Sequence, residues 1–168
     1  MLVALAGKPG TGKTTLARGL ATALQAVYLR IDAIETAVIR SGVARPPVGI
    51  VGYVVAHEVA RSNLLLGKSV VIDAVNPVSD ARKGWSVLAS EVDVQLVMFE
   101  TVLGDREEHR RRVAARLPDL AGQSVPTWEQ VELSEYEPWA TERDGPRSAI
   151  DTTDADAALS AALAHLGH

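Results

Sequence analysis

Gly7, Gly12, Lys13 and Thr14 stand at the spacing G-x-x-x-x-G-K-[ST], directly after the apolar run from Leu2 to Ala6. Residues of these types in this order hold a polyphosphate. Glycines let the backbone curl so that its N–H groups converge as an anion nest, with no Cβ in the way. The Lys-Thr-Thr-Leu-Ala that follows starts a helix, whose N-terminus adds roughly half a positive charge at the same place. Lys13 is suited to reach the β- and γ-phosphates and the Thr14 hydroxyl to ligate Mg²⁺. The stretch Gly7, Gly10, Thr11, Gly12, Lys13, Thr14 and Thr15 is therefore expected to cradle a nucleoside triphosphate. A chance glycine-rich turn is the alternative, and the strand before and helix after argue against it.

Three further groups carry chemistry. Asp32 follows the apolar stretch Ala26–Ile31, where a carboxylate can take a proton from an acceptor hydroxyl; Asp is also a good helix N-cap. Glu35, one turn on, can orient Asp32 or bind substrate, or simply favour the helix start. Asp73 ends the apolar run Ser69–Ile72, where a carboxylate can hold Mg²⁺ or substrate, or only form a turn. Asn76 can hydrogen-bond an acceptor, although Asn-Pro is also a turn signal. Between Arg106 and Arg116 five arginines fall within eleven residues, which suits a clamp on transferring phosphate. Arg112 and Arg116, four apart, are predicted to share a helical face; the alternative is a solvated face paired with Asp105, Glu107 and Glu108. His109 reads as a surface residue. Trp128, Tyr136 and Trp139 either wall an acceptor pocket or close a core.

The elements that must position these groups alternate. Helical spacing runs over Lys13–Leu24, a short strand over Gln25–Ile31, a helix over Ala33–Ile39 and a long apolar helix over Ile50–Leu66. Ser69–Asp73 reads as a buried central strand, Ser79–Ser90 as a helix capped by Ser79, and Val92–Phe99 as another buried strand. A charged helix over Asp105–Leu117 follows, then a loop, then a helix opened by the capping box Thr127-x-x-Gln130 and broken at Tyr136–Trp139. Ser148–Asp151 is a last strand and Ala155–Leu166 a terminal helix. Strands alternating with helices predict a parallel sheet covered on both faces, with ligands at the carboxyl ends of its strands.

Composition narrows the class. At 168 residues the chain is expected to form one domain, 1–168. Its net charge of −4 argues against a generally basic nucleic-acid binder. The absence of cysteine excludes disulfides and thiolate metal sites. No apolar run approaches the roughly 20 residues of a membrane span, and no leader-like segment precedes the first strand, so a cytoplasmic enzyme is expected.

The glycine-rich loop, Asp32 after the second strand and the arginine segment after the fourth resemble the small P-loop kinases of adenylate-kinase-like fold. These include chloramphenicol phosphotransferase, zeta-toxin, gluconate and adenylylsulfate kinases and the polynucleotide 5′-kinase domain. Arg30-Ile-Asp32-Ala-Ile-Glu35, Asp73-Ala-Val-Asn76-Pro77, Glu108–Val113, Pro126-Thr-Trp128 and Tyr136–Trp139 are similar to a bacterial group of ATP-binding, predicted kinases. The resemblance implies a three-layer α/β fold with a five-stranded parallel sheet ordered 2-3-1-4-5 and a lid over about 104–126. It implies Asp32 as general base, Arg112 and Arg116 as lid arginines, and adenine between the lid helix and the loop after Asp151. Several of these kinases carry Asp-x-x-Arg after the second strand; Glu35 holds the arginine position here, which disfavours an anionic acceptor.

The expected activity is transfer of the ATP γ-phosphate, with Mg²⁺, to a hydroxyl of a small molecule such as an antibiotic, sugar or nucleoside. A 5′-hydroxyl nucleic-acid kinase and a nucleotide-dependent switch or weak ATPase are the alternatives. The acceptor, the choice of ATP or GTP and the oligomeric state are not written in the sequence.

Overall fold

Alternation along the first strand sorts the whole core. In the computed structural model, which describes residues 1–168, all five residues of β1 (Leu2–Ala6) are fully buried. The remaining elements are α1 (Lys13–Ala23), β2 (Val27–Arg30), α2 (Ile31–Arg40), α3 (Val51–Leu65), β3 (Val70–Asp73), α4 (Ser79–Glu91) and β4 (Leu96–Val102). They continue with α5 (Arg106–Ala115), α6 (Trp128–Leu133), α7 (Thr141–Asp144), β5 (Ser148–Asp151) and α8 (Ala155–His165). Leu2, Ala4, Val70 and Ile72 pack against Ala56, Ala60 and Leu64 of α3 and Trp85 and Leu88 of α4. Val3, Leu5, Val71, Val97 and Phe99 face the other way, onto Leu16, Ala17 and Leu20 of α1 and Ala158 and Ala162 of α8. Each fully buried Val or Leu contributes roughly 1.5–3 kcal/mol over leaving it exposed, so the apolar strands commit the sheet to two helical layers.

Every pairing is parallel and the order is β2-β3-β1-β4-β5, as the resemblance implies. Arg30 pairs with Asp73 and Leu5 with Asp73, so the ends of β1, β2 and β3 lie level and the glycine-rich loop leaves from the same edge.

Local boundaries depart from expectation in several places, and the helix α7 is not among the expected elements; four departures have a clear physical reason. The α2 helix begins at Ile31, so Asp32 is not its cap; it lies in the first turn, and the cap position is Arg30 without a side-chain bond. Ser79 is the first residue of α4 and not its cap, because Glu137 Oε2, from far along the chain, accepts the Ser79 N–H at 3.0 Å. The fourth strand starts at Leu96 and not Val92, since α4 runs to Glu91 and Asp93 then turns the chain at φ 52°. The arginine helix ends at Ala115, leaving Arg116 extended at ψ 124°, so Arg112 and Arg116 do not share a helical face. The capping box of Thr127 and Gln130 forms in full, and Asp105 caps α5 by accepting from the N–H groups of Glu107 and Glu108. No helix is long and apolar enough to cross a membrane.

Candidate nucleotide and acceptor site

The loop after β1 turns on left-handed glycines. Gly10 has φ 86°, and a Cβ there would sit 2.5 Å from Val113 Cγ2, so α5 is packed directly on the loop. His109, expected at the surface, is part of that packing: its Nε2 lies 2.8 Å from Pro9 O and its ring meets Trp128 edge-on. Lys13 is only 8% exposed, and Nζ donates to Lys8 O at 2.8 Å. Burial lowers its pKa to about 8, with Asp73 and then Asp32 pulling the other way. A buried ammonium with one backbone acceptor is a site made for an anion.

Beside it opens a cavity of about 720 Å³. Gly10, Gly12, Lys13, Thr14 and Thr15 of the loop line it, with Asp73 from β3 and Arg112 and Arg116. Asp32, Glu35, Thr36 and Ile39 of α2, with Pro46 and Gln123, line it as well. A smaller pocket of about 130 Å³ lies between Gly12, Thr15, Leu16, Arg112, Thr152 and Thr153.

Several expected ligand residues stand behind this wall. Gly7 is used for close approach: its N–H donates to Val75 O, and a Cβ would lie 2.5 Å from Thr101 Oγ1. The Thr11 side chain is buried, its hydroxyl 2.8 Å from Lys8 O and 2.7 Å from Thr101 Oγ1, so it braces the loop and does not face the cavity. Asp151 is exposed and accepts the Thr153 N–H at 2.8 Å; its neighbours Thr152 and Thr153 line the small pocket in its place. Asn76 is fully buried, with Nδ2 donating to Leu5 O at 2.7 Å and Oδ1 accepting from Trp85 Nε1 at 2.9 Å. Both ends of its amide are spent, so Asn76 ties the β3 loop to β1 and cannot bind substrate.

The charged residues sort themselves. Asp73 is buried and accepts from Tyr28 Oη at 2.8 Å. Asp32 Oδ2 accepts from Arg30 Nη2 and Gln123 Nε2, each at 3.2 Å, and lies 3.6 Å from Arg116 Nη2. All three address the same oxygen. Arg112 turns away, donating to Glu108, Thr152 O and Thr153 O, and so clips α5 to the β5–α8 loop. Arg106, Arg110 and Arg111 pair with Glu132, Glu107 and Glu108 on the surface. Tyr136 and Trp139 line no part of the cavity; both rings flank the Arg82 guanidinium, at 5.2 and 4.7 Å.

Two contributors escape a reading of the sequence. Arg30 is buried at the end of β2 and joins Asp32 to Asp119, whose carboxyl Arg30 first and Arg18 second hold down at about 2. Its signal is present all the same, since an arginine closing an apolar strand must find carboxylates. Gln123 sits in an irregular segment, and nothing in its sequence surroundings marks it.

A family model described as an AAA domain matches residues 2–132. No curated protein matches the sequence at a significant level. Among solved structures, a candidate kinase from Chloroflexus aurantiacus is similar with a TM-score of 0.74 and 22% identity, over 98% of this chain and 97% of that one. A sugar kinase from Janibacter sp. HTCC2649 gives 0.69 and 18%, over 99% and 94%. Kti12 of Chaetomium thermophilum, in complex with ADP-AlF3, gives 0.69 and 19%, over 99% and 97%. At such identities the likeness shows the fold.

Proposed function

The chain belongs to the AAA domain family, and from that premise we propose that it is an ATP-dependent kinase transferring the γ-phosphate to a hydroxyl of a small molecule. The observation that carries this reading is the lining of the cavity: one cavity of about 720 Å³ takes in the phosphate-binding loop, Asp32 and, beyond what a triphosphate needs, Glu35, Thr36, Ile39 and Pro46. A hydrolytic switch has no use for those further residues. The sugar kinase among the similar folds supports the reading, and so does the resemblance to chloramphenicol phosphotransferase and zeta-toxin kinases.

In this reading residues 1–168 act as one domain, with residues 104–126 as the lid. Backbone N–H groups of Gly10 to Thr15 and the Lys13 ammonium hold the triphosphate. Adenine occupies the small pocket beside Arg112, Thr152 and Thr153. The Thr14 hydroxyl and Asp73 carboxylate are hard oxygen donors on the cavity wall and fit Mg²⁺, which when bound neutralises phosphate charge. Asp32 takes the proton of the acceptor hydroxyl as its oxygen bonds to the γ-phosphorus, and ADP leaves with the electron pair of the broken P–O bond. Arg116, which lines the cavity in loose contact with Asp32, balances the charge of that transfer.

Asp32→Asn tests the assignment. Asn still accepts from Arg30 and Gln123, so melting temperature and ATP affinity stay as they were. On an acceptor found by screening hydroxylated metabolites and antibiotics with Mg-ATP, kcat falls roughly a hundredfold or more while KM hardly moves. A lowered melting temperature with unchanged kcat makes Asp32 structural. ATP turnover that no acceptor stimulates returns the chain to the reading as a switch or weak ATPase.

A further inference from the structure

Beside Asp32 the cavity lining carries a second carboxylate that no protein cation meets. Glu35 lies on the cavity wall, partly buried, and neither an ion pair nor a hydrogen bond from the protein reaches its carboxylate. Its place is made by Gly52, where a Cβ would come within 2.7 Å of Glu35 Cγ and 2.9 Å of Oε1. Gln123, also on the lining, is oriented by Nε2 donating to Asp32 and offers Glu35 no hydrogen bond. The basic residues lining the cavity are Lys13, Arg112 and Arg116; Arg116 lies 3.6 Å from Asp32 Oδ2, and none of the three pairs with Glu35. Arg40 rests its stem near Gly122 and lies outside the lining.

We propose that the acceptor is a hydroxylated amine, an amino sugar or amino alcohol, whose ammonium group is held by Glu35 while its hydroxyl meets Asp32. This rests on the kinase reading above and names the substrate class for the same site. A carboxylate partly withdrawn from water gains from an opposing cation, which a neutral polyol does not supply. An ammonium supplies three donors and no acceptor, which is what an unpartnered carboxylate lacks. Burial first, and the Asp32 charge second, raise the Glu35 pKa, the direction that a bound cation reverses. Asp32 and Glu35 are three residues apart on α2, with Cβ atoms about 5–6 Å from each other. The amine takes no part in the bond change: the hydroxyl oxygen gains the phosphoryl group, its proton passes to Asp32, and ADP departs.

Ligand-observed NMR titration of the intact protein, saturated with AMPPNP and Mg²⁺, decides the matter with matched probes. These are glucosamine against glucose, and kanamycin against trehalose. The amine of at least one pair binds tenfold or more tightly than its neutral partner, and Glu35→Gln, checked for folding by its melting temperature, removes most of that gap. Equal binding within both pairs, no amine binding at millimolar concentration, or a gap that survives Glu35→Gln each overturns the proposal. Where the variant does not fold, the matched pairs on the unaltered protein still discriminate. Phosphorylation of neutral acceptors alone would sustain the kinase and sink the amine; an amine bound through Glu35 yet never phosphorylated would do the reverse.

Discussion

Lys13 and Arg82 are both cations removed from water, and the chain treats them in opposite ways. Arg82 is 0% exposed, and each arm of its guanidinium is occupied. Nε donates to Asn76 O at 3.0 Å, Nη1 to Asp144 Oδ2 at 3.0 Å, and Nη2 to Pro77 O at 3.1 Å and Glu137 O at 2.6 Å. Tyr136 and Trp139 cover its faces. Lys13 has one backbone acceptor and a cavity beside it. A saturated buried cation is architecture: Arg82 fixes the loop that carries Asn76, and through Asn76 the end of β1. An unsaturated one is held ready for a ligand, and the free protein carries the cost.

The largest expected effect breaks the saturated side. Arg82→Met leaves Asp144 charged and buried without one of its partners, and should lower stability by about 3–5 kcal/mol. Urea denaturation followed by tryptophan fluorescence measures it. A loss below about 1 kcal/mol would remove the contrast, since Arg82 would then be no more committed than Lys13.

Lys13→Met should act with the opposite sign. Removing an ammonium whose pKa is pulled from 10.5 to about 8 relieves a cost, so the free protein gains stability, by up to about 3 kcal/mol at pH 7. The same change should weaken ATP binding at least about a hundredfold by calorimetry. A destabilised variant that still binds ATP would show that Lys13 is structural.

The smallest effect sharpens the comparison by pH. Below pH 8 both folded and unfolded chains carry the Lys13 proton and the cost is full. Between pH 8 and 10.5 the unfolded chain binds more protons than the folded one, so stability rises with pH. Relative to Lys13→Met, the unaltered protein should recover about 1 kcal/mol between pH 7 and pH 9. No such slope should arise when Arg82 is the residue changed. A flat difference across that range would mean that Lys13 is better solvated than its burial implies.

The phosphate loop, the alternation that builds the sheet, Asp73 at a strand end and the capping box at Thr127 were all determined by the sequence alone. Each depends on backbone constraints acting within a few residues: a glycine's freedom at positive φ, an apolar run of strand length, a hydroxyl three residues from the N–H it accepts. The extent of β4 was less legible, because a left-handed turn at Asp93 separates apolar residues that read as one run. The place of Arg116 was obscured for a similar reason, the helix ending one residue before it.

Only the tertiary structure decided what the polar side chains do. Asn76 and Arg82 became a buried frame, His109 a brace on the loop, and Arg30 and Gln123 the holders of Asp32. These outcomes rest on partners such as Arg82 with Asp144, Arg30 with Asp119 and Gln123 with Asp32, which lie 62, 89 and 91 residues apart. At such separations no local preference selects a partner. The hydrophobic packing of the two helical layers sets where each loop ends, and a charge or amide left near another by that packing either finds its hydrogen bond there or, like the carboxylate of Glu35, has no protein partner.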